Sequence, residues 1–217
     1  MPGQAAFVLF LGMCLFAPAG TLARWQAWLF IAVFIGASDA LGVYFVKHDP
    51  ALIERRRRAG PTAEMEPAQK IIMVVIRIGF LALLVVPGFD HRWHWSASPP
   101  WLAFVGEAGA ILSFVVFFVV MKQNSYAAAS ITVEADQPVV STGLYAAIRH
   151  PMYAGGLLLM IAIPLALAST WTLLTLVSAV PVLAWRVLDE ERFLMANLPG
   201  YANYCRRVRY RLIPGVW

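Results

Sequence analysis

Residues Gly143–Gly155 read GLYAAIRHPMYAG, and residues Arg186–Phe193 read RVLDEERF. Between these two polar clusters lies the apolar stretch Gly156–Val187, which is long enough to enter a bilayer and return. Two antiparallel helical arms joined by a short turn bring their ends within about one helix diameter, roughly 10 Å. The sequence therefore predicts that both charged clusters meet at one membrane face and form a site.

The composition is that of a multi-pass membrane protein. The chain has 217 residues, of which 60% are hydrophobic and 13% charged, and its mean hydropathy is +0.69. Soluble domains contain about 45–50% apolar and about 25% charged residues. The net charge of +5 fits the Lys and Arg residues that membrane proteins concentrate in cytoplasmic loops, so nucleic-acid binding is not expected.

The apolar runs predict an all-α integral membrane protein with about four transmembrane helices, a C-terminal helical hairpin and a cytoplasmic tail. The expected spans are residues 4–19, 25–46, 68–87 and 100–121, all within an N-terminal region of residues 1–121. Residues 122–217 add a cytoplasmic loop, a hairpin over 153–188 with a break at Ala168-Ser169-Thr170, and a basic tail. The first apolar run lacks the basic start of a signal peptide, so we expect it to be retained.

Basic residues predict the orientation. With six crossings, both termini and the loops 47–70 and 122–149 share one face, which carries nearly all the Lys and Arg outside the spans. The opposite face carries Arg24 and Arg92. This asymmetry places the termini and the candidate site in the cytoplasm. We interpret the run Glu54–Arg58 as a determinant of this topology; the alternative is a patch that binds lipid headgroups.

Three charged residues fall inside predicted spans, where ionisable groups are costly. Asp39 and Arg77 have similar predicted depths, which favours an ion pair, either as a structural clamp or in catalysis. Glu107 has no evident partner and is expected to stay protonated or to line a polar cavity. His91 and His94 have a possible ligand spacing, but no third ligand is evident and no metal is expected.

Local spacing points to chemistry at the two clusters. Pro151 suits the first turn of a helix and would fix the junction from which Arg149, His150 and Tyr153 project. Arg186 and Glu190 are four residues apart and share a helix face. They are equally consistent with an exposed ion pair and with a split ligand site, since arginine suits carboxylate or phosphate.

The segment GLYAAIRHPMYAG, the hairpin, the pair Glu190-Glu191, and Tyr201 and Tyr204 before a basic tail resemble the isoprenylcysteine carboxyl methyltransferase family. The wider group includes the phospholipid methyltransferases, and the resemblance covers roughly residues 130–217. It implies that residues 122–217 form a methyltransferase core. It also implies S-adenosylmethionine as cofactor, bound on the cytoplasmic side by the loop and tail, with a lipid-like or prenylated acceptor entering from the membrane lipids.

The resemblance also implies roles for individual positions. Arg186 corresponds to the residue that holds the substrate carboxylate, and Arg186 and Glu190 form the implied catalytic pair. Tyr201 and Tyr204 are further candidates, with interfacial anchoring as the alternative. The implied cofactor-binding positions are Gln137, Pro138, Val139, Val140, Tyr145, His150, Pro151, Met152, Tyr153 and Glu190.

Two other functions remain open from the sequence. A membrane sterol-type reductase that uses NADPH has a similar C-terminal region. A non-enzymatic scaffold or transporter is the other alternative, although no internal repeat typical of transporters is evident. The strongly basic tail RRVRYRLIPGVW departs from the prenylcysteine enzymes, so the sequence does not identify the acceptor. The oligomeric state and the pathway are also open.

Overall fold

The computed structural model describes residues 2–57, 67–127, 133–134 and 137–217, and every regular element among them is helical. This confirms the predicted all-α class. The helices are α1 (Pro2–Ala19), α2 (Trp25–His48), α3 (Pro50–Arg57), α4 (Pro67–Trp93), α5 (Trp101–Gln123), α6 (Leu144–Ala147), α7 (Pro151–Ala166), α8 (Thr175–Asn197) and α9 (Tyr201–Arg207), with a 3-10 helix at Trp171–Leu174.

Four helical segments in the described part of the chain are long and apolar enough to cross a membrane. They are Trp25–His48, Ala68–Trp93, Trp101–Gln123 and Trp171–Asn197, whereas α1 and α7 are shorter apolar helices. A helix is suited to the bilayer because it satisfies its own backbone hydrogen bonds. The break between α7 and the 3-10 helix contains the predicted Ala168-Ser169-Thr170.

Helices α2 and α5 end two residues beyond the bounds predicted from the sequence, and α4 and α8 extend much further. Helix α4 continues through Pro87 to Trp93, because a proline inside a membrane helix does not necessarily end it. Helix α8 continues from the apolar arm through the charged cluster to Asn197. Helix α3 was not predicted, since it is short and polar; like α7, it begins at a proline, whose missing N–H is not needed there.

The chain forms two compact units. The first unit comprises Met1–Ala40, Ile76–Phe114 and Gly156–Val180, and the second comprises Leu41–Val75, Val115–Gly155 and Pro181–Trp217. The regions predicted from the sequence, 1–121 and 122–217, divide the chain by order along it and stay a prediction. All the residues of the candidate site belong to the second unit.

Small residues determine how closely helices approach in the first unit. A Cβ added to Gly106 of α5 would lie 2.0 Å from the backbone nitrogen of Ala166 in α7. One turn further, a Cβ on Gly109 would lie 3.1 Å from the Cβ of Ala162. Such contacts let two helix backbones pack together where there is no hydrophobic effect between helices in lipid.

The charged residues inside the spans have different partners from those expected. Asp39 accepts a hydrogen bond from the Gln4 side chain, and no Asp39–Arg77 ion pair is formed among the described residues. Similar depth was not sufficient, because the direction of each side chain around its helix also decides the contact. Glu107 is buried, and neither of its carboxyl oxygens has a hydrogen-bond partner in the described structure.

Candidate functional site

The second unit brings together the three residues that the sequence placed nearest to chemistry. The Tyr153 hydroxyl donates a hydrogen bond to Glu190 Oε2 over 2.5 Å. The Tyr153 hydroxyl oxygen also accepts a hydrogen bond from Arg186 Nε over 3.2 Å. Arg186 is only 3% exposed, so its guanidinium is held among partners and is not a solvated surface charge. Tyr153 therefore links the Glu190 carboxylate to the Arg186 guanidinium on one face of α8.

A residue of α4 completes this arrangement. Arg186 Nη1 donates to the Gln69 side-chain carbonyl, and the Gln69 amide in turn donates to Asp189. Gln69 is 1% exposed. Gln69 and Asp189 were not among the residues predicted from the sequence; the available signal was an amide at the start of an apolar span, where a buried polar group needs a partner. Gln69 thus fixes the orientation of the Arg186 guanidinium.

Glu191 has a separate set of partners. Its Oε1 lies 3.0 Å from Arg149 Nε and 3.2 Å from His150 Nε2, and its Oε2 accepts a hydrogen bond from Arg211 Nε over 2.9 Å. The Arg149 contact is an ion pair without a hydrogen bond, since the Nε–H does not point at the oxygen. The Glu191 side chain is 3% exposed, and its surroundings are cationic. Glu191 therefore acts as a structural anchor.

The tail is also attached to the segment before α7 through the backbone. The Arg149 amide donates to the Tyr210 carbonyl and the His150 amide donates to the Arg211 carbonyl, both over 2.9 Å. These two bonds, with the Arg211–Glu191 contact, hold the predicted loop and tail against each other. The family resemblance implied that both would contribute to one site, and the structure places the two segments in contact.

An apolar cluster lies next to this anchor. The buried side chains of Leu198, Tyr201, Tyr204 and Val208 pack with Val139 and Tyr145. The Tyr204 hydroxyl donates to the Tyr145 carbonyl over 2.8 Å, and Asn124 donates to the Tyr145 hydroxyl over 3.1 Å. Burial raises the pKa of Tyr145 and of Tyr204, so both phenols stay protonated at neutral pH.

Tyr201 differs from Tyr204 in one respect. Its hydroxyl is buried and has no hydrogen-bond partner among the described residues. Burial raises its pKa, and the nearby Cys205, Glu191 and Glu190 raise it further. A buried hydroxyl is ordinarily paired, so an unpaired one beside Glu190 and the apolar cluster suits a ligand with both apolar and polar parts.

The other cofactor-binding positions implied by the resemblance lie at different places in the second unit. Gln137 accepts a hydrogen bond from the Glu134 amide over 3.2 Å, while Pro138 is exposed and Val140 half-buried. Pro151 is buried at the start of α7. Met152 packs on a second cluster, formed by Phe45, Leu52 and Met121. Met152 therefore has different neighbours from Val139 and Tyr145.

Gly143 fixes the start of the GLYAAIRHPMYAG segment. Its φ is +60°, a conformation that favours glycine, and a Cβ there would lie 2.2 Å from the Gln123 amide. The Gln123 side chain accepts a hydrogen bond from the Leu144 amide over 3.0 Å. The Gln123 side chain thus links the end of α5 to the start of α6.

The basic run on α3 contacts the segment that follows α5. Arg55 forms a two-pronged contact with Glu134, at 2.7 and 3.0 Å, and its guanidinium stacks 4.6 Å from the centre of the Tyr126 ring. Arg56 donates to the Ala127 carbonyl over 2.9 Å. These two arginines therefore have structural contacts that the sequence analysis did not anticipate. Arg58, from the same run, lies outside the described residues.

No group of three His, Cys, Asp or Glu side chains is placed to hold a metal ion in the described part of the chain.

Residues 101–199 match the model of a known family, described as phospholipid methyltransferase. No curated protein matches the chain. The match covers Tyr153, Arg186 and Glu190 and, with the apolar helices, supports a membrane methyltransferase.

Proposed function

Because residues 101–199 match the phospholipid methyltransferase model, we propose that the chain transfers a methyl group from S-adenosylmethionine to a lipid-like acceptor. The acceptor is an amphiphile that carries either a carboxylate, as in isoprenylcysteine methylation, or an amine, as in phospholipid methylation. The observation that carries the proposal is the contact of Tyr153 with both Glu190 and Arg186, inside the matched region.

The site residues divide into one that would bind the acceptor and several that would bind the cofactor. Arg186 is a buried cation whose fork of N–H donors suits a carboxylate or phosphate of the acceptor. Glu190 offers an anionic oxygen for the cationic or hydroxyl-bearing part of the cofactor. Tyr201 adds an unpaired hydroxyl, and Val139 and Tyr145 add apolar surface.

The reaction needs little acid–base help from the protein. S-adenosylmethionine supplies an activated methyl on a sulfonium; the carbon–sulfur bond breaks while a bond to the acceptor oxygen or nitrogen forms, leaving a neutral thioether. A carboxylate acceptor loses no proton. An amine acceptor loses one, and Glu190 is better placed to receive it than Glu191, whose oxygens contact Arg149, His150 and Arg211. Proximity and orientation then provide most of the rate enhancement.

Labelled methyl transfer tests the proposal. Purified protein is incubated with methyl-labelled S-adenosylmethionine and either a prenylcysteine-type carboxylate or a lipid extract that contains phosphatidylethanolamine. We expect label in at least one acceptor class, and base treatment separates a labile methyl ester from a stable methylamine. Absence of label from both, together with no cofactor binding, contradicts the proposal. Parallel titration with NADPH tests the reductase alternative.

Variants on one helix provide the matched control. Arg186→Gln is expected to lower kcat/KM for the acceptor by about 10- to 100-fold. Glu190→Gln is expected to lower the affinity for the cofactor by about the same factor, since each variant removes contacts of a charged group. Arg192→Gln changes an exposed arginine of α8 and is expected to behave as the unmodified chain. If Arg192→Gln lowered these quantities as much as the other two variants, the losses would reflect a general disturbance of α8 and not the removal of contacts in the site.

A further inference from the structure

The first unit contains a polar cavity of about 120 Å³ that methyl transfer does not involve. Its wall comes from the start of α2, the end of α4 with the segment that follows it, and the turn after α7. The volume is well above the roughly 10–15 Å³ that one water needs. The cavity can therefore hold a group of several heavy atoms.

A buried arginine lines this cavity and has an unsatisfied donor. Arg24 is 3% exposed, and its Nη2 donates to the Leu167 carbonyl. Its Nη1 is buried and has no hydrogen-bond partner in the described part of the structure. Burial lowers the pKa of Arg24 to about 10, against a smaller opposing effect of Asp90, so the guanidinium is charged at neutral pH. A buried charged donor without a partner is costly unless a ligand satisfies it.

Ser98 supplies a second unsatisfied donor to the same cavity. Its hydroxyl is buried and also lacks a partner among the described residues. Asp90, which lines the cavity as well, is already satisfied: it accepts hydrogen bonds from the Ser96 amide over 2.7 Å, from the Ser96 hydroxyl over 2.6 Å, and from the Ser169 hydroxyl. Among the described wall residues, the buried side-chain atoms without a partner are therefore Arg24 Nη1 and the Ser98 hydroxyl, and both can donate to a ligand with acceptor oxygens.

The wall contains two residues with strained backbone conformations and a hydrogen bond that links their segments. Among the described residues, the two non-glycine residues with positive φ are His94, at 55°, and Ala168, at 51°, and both line the cavity. Such conformations persist only where the surrounding structure enforces them, and they concentrate at ligand sites. The Trp171 indole donates to the Trp95 carbonyl over 2.9 Å, which ties the two strained segments together. The segments that follow α4 and α7 are thus linked at the cavity wall.

We propose that this cavity binds a phosphate group through Arg24 and Ser98. Arginine offers the planar donors that phosphate prefers. The cavity lies where α2 begins and α4 ends, beside the exposed Trp93, Trp95 and Trp101, and such tryptophans are typical of the membrane interface where phospholipid headgroups lie. The source is either a phospholipid headgroup or free phosphate, and the chemistry of recognition is the same.

The test uses the full chain purified in detergent and stripped of lipid. Its thermal unfolding is measured with inorganic phosphate at constant ionic strength, and separately after addition of phosphatidylglycerol or of a phosphate-free glycolipid in the same detergent. A rise in Tm with phosphate identifies free phosphate, and a rise with phosphatidylglycerol alone identifies the headgroup. No rise in either arm, or an equal rise with the glycolipid, overturns the proposal.

Two variants and a control assign the effect to the cavity. Arg24→Gln is expected to weaken phosphate or headgroup affinity by about 10- to 100-fold, and Ser98→Ala by about 3- to 10-fold. Ser98→Ala removes a donor without leaving a buried group unpaired, so it should fold even if Arg24→Gln does not. Arg92→Gln changes an exposed arginine at the end of α4 and should keep full affinity. Undiminished binding by Ser98→Ala and by a folded Arg24→Gln overturns the assignment.

Discussion

Glu190 and Glu191 are neighbours in the chain, yet their carboxylates have different partners. Glu190 accepts a hydrogen bond from Tyr153, whereas Glu191 is surrounded by Arg149, His150 and Arg211. Successive residues of a helix point in directions about 100° apart, so adjacent acids can belong to different environments. We infer a chemical role for the first and a structural role for the second.

Replacing Glu191 should therefore affect folding more than chemistry. Glu191→Ala leaves Arg149 and His150 buried without their anion, and removing one partner of a buried charge cluster costs about 3–5 kcal/mol. The free energy of unfolding is measured by denaturant titration in detergent. Glu190→Ala, at a half-buried position, should be less destabilising while losing methyl transfer. Equal stability of the two variants would contradict the division of roles.

Gln69 is expected to position Arg186 and not to contact the methyl group. Gln69→Leu removes the acceptor for Arg186 Nη1, so we expect KM for the acceptor to rise by about 10-fold or more while cofactor affinity changes little. Separate titrations of acceptor and cofactor measure the two effects, and Gln69→Glu, which restores an acceptor, should recover part of the loss. A uniform decrease in both affinities would instead indicate a general folding defect.

At the scale of elements, glycine determines the contact between α5 and α7 in the first unit. Gly106→Ala places a Cβ 2.0 Å from the Ala166 backbone nitrogen, and overpacking of this kind costs about 1–3 kcal/mol. Thermal unfolding in detergent should show the loss. Gly79→Ala in α4 is the matched control, since nothing lies within 4 Å of its added Cβ. Helix propensity favours alanine over glycine, so Gly79→Ala should be neutral or stabilising. An equal loss of stability in both variants would show that the close contact with Ala166 is not the cause.

Across the whole molecule, the basic residues predict which face of the membrane each segment occupies. Exposed positions Arg206, in α9, and Ala97, between α4 and α5, test this when each is changed to cysteine in a background without Cys14 and Cys205. We expect Ala97→Cys to react with a membrane-impermeant maleimide in intact cells and Arg206→Cys to react only after permeabilisation, because the positive-inside rule predicts that the basic side is cytoplasmic. The reverse pattern would place the proposed site outside the cell.

Much of the architecture was predictable because it depends on local properties of the chain. A run of about 20 apolar residues meets the bilayer most favourably as a helix, so the long helices and the break at residues 168–170 follow from composition. The ends of α4 and α8 were not predictable, since the helices continue past Pro87 and through the charged cluster. Whether a helix continues there depends on tertiary neighbours that satisfy its polar groups.

The sequence alone determined that this is an all-helical membrane protein in which the 143–155 and 186–193 segments carry the candidate chemistry, because hydrophobic length and residue spacing are properties of the chain itself. Only the tertiary structure decided that Gln69 orients Arg186, that Glu191 anchors the tail, and that Arg24 faces a polar cavity with an unpaired nitrogen. Each of these contacts depends on the direction of a side chain around its helix and on residues distant in the chain, which only packing brings together.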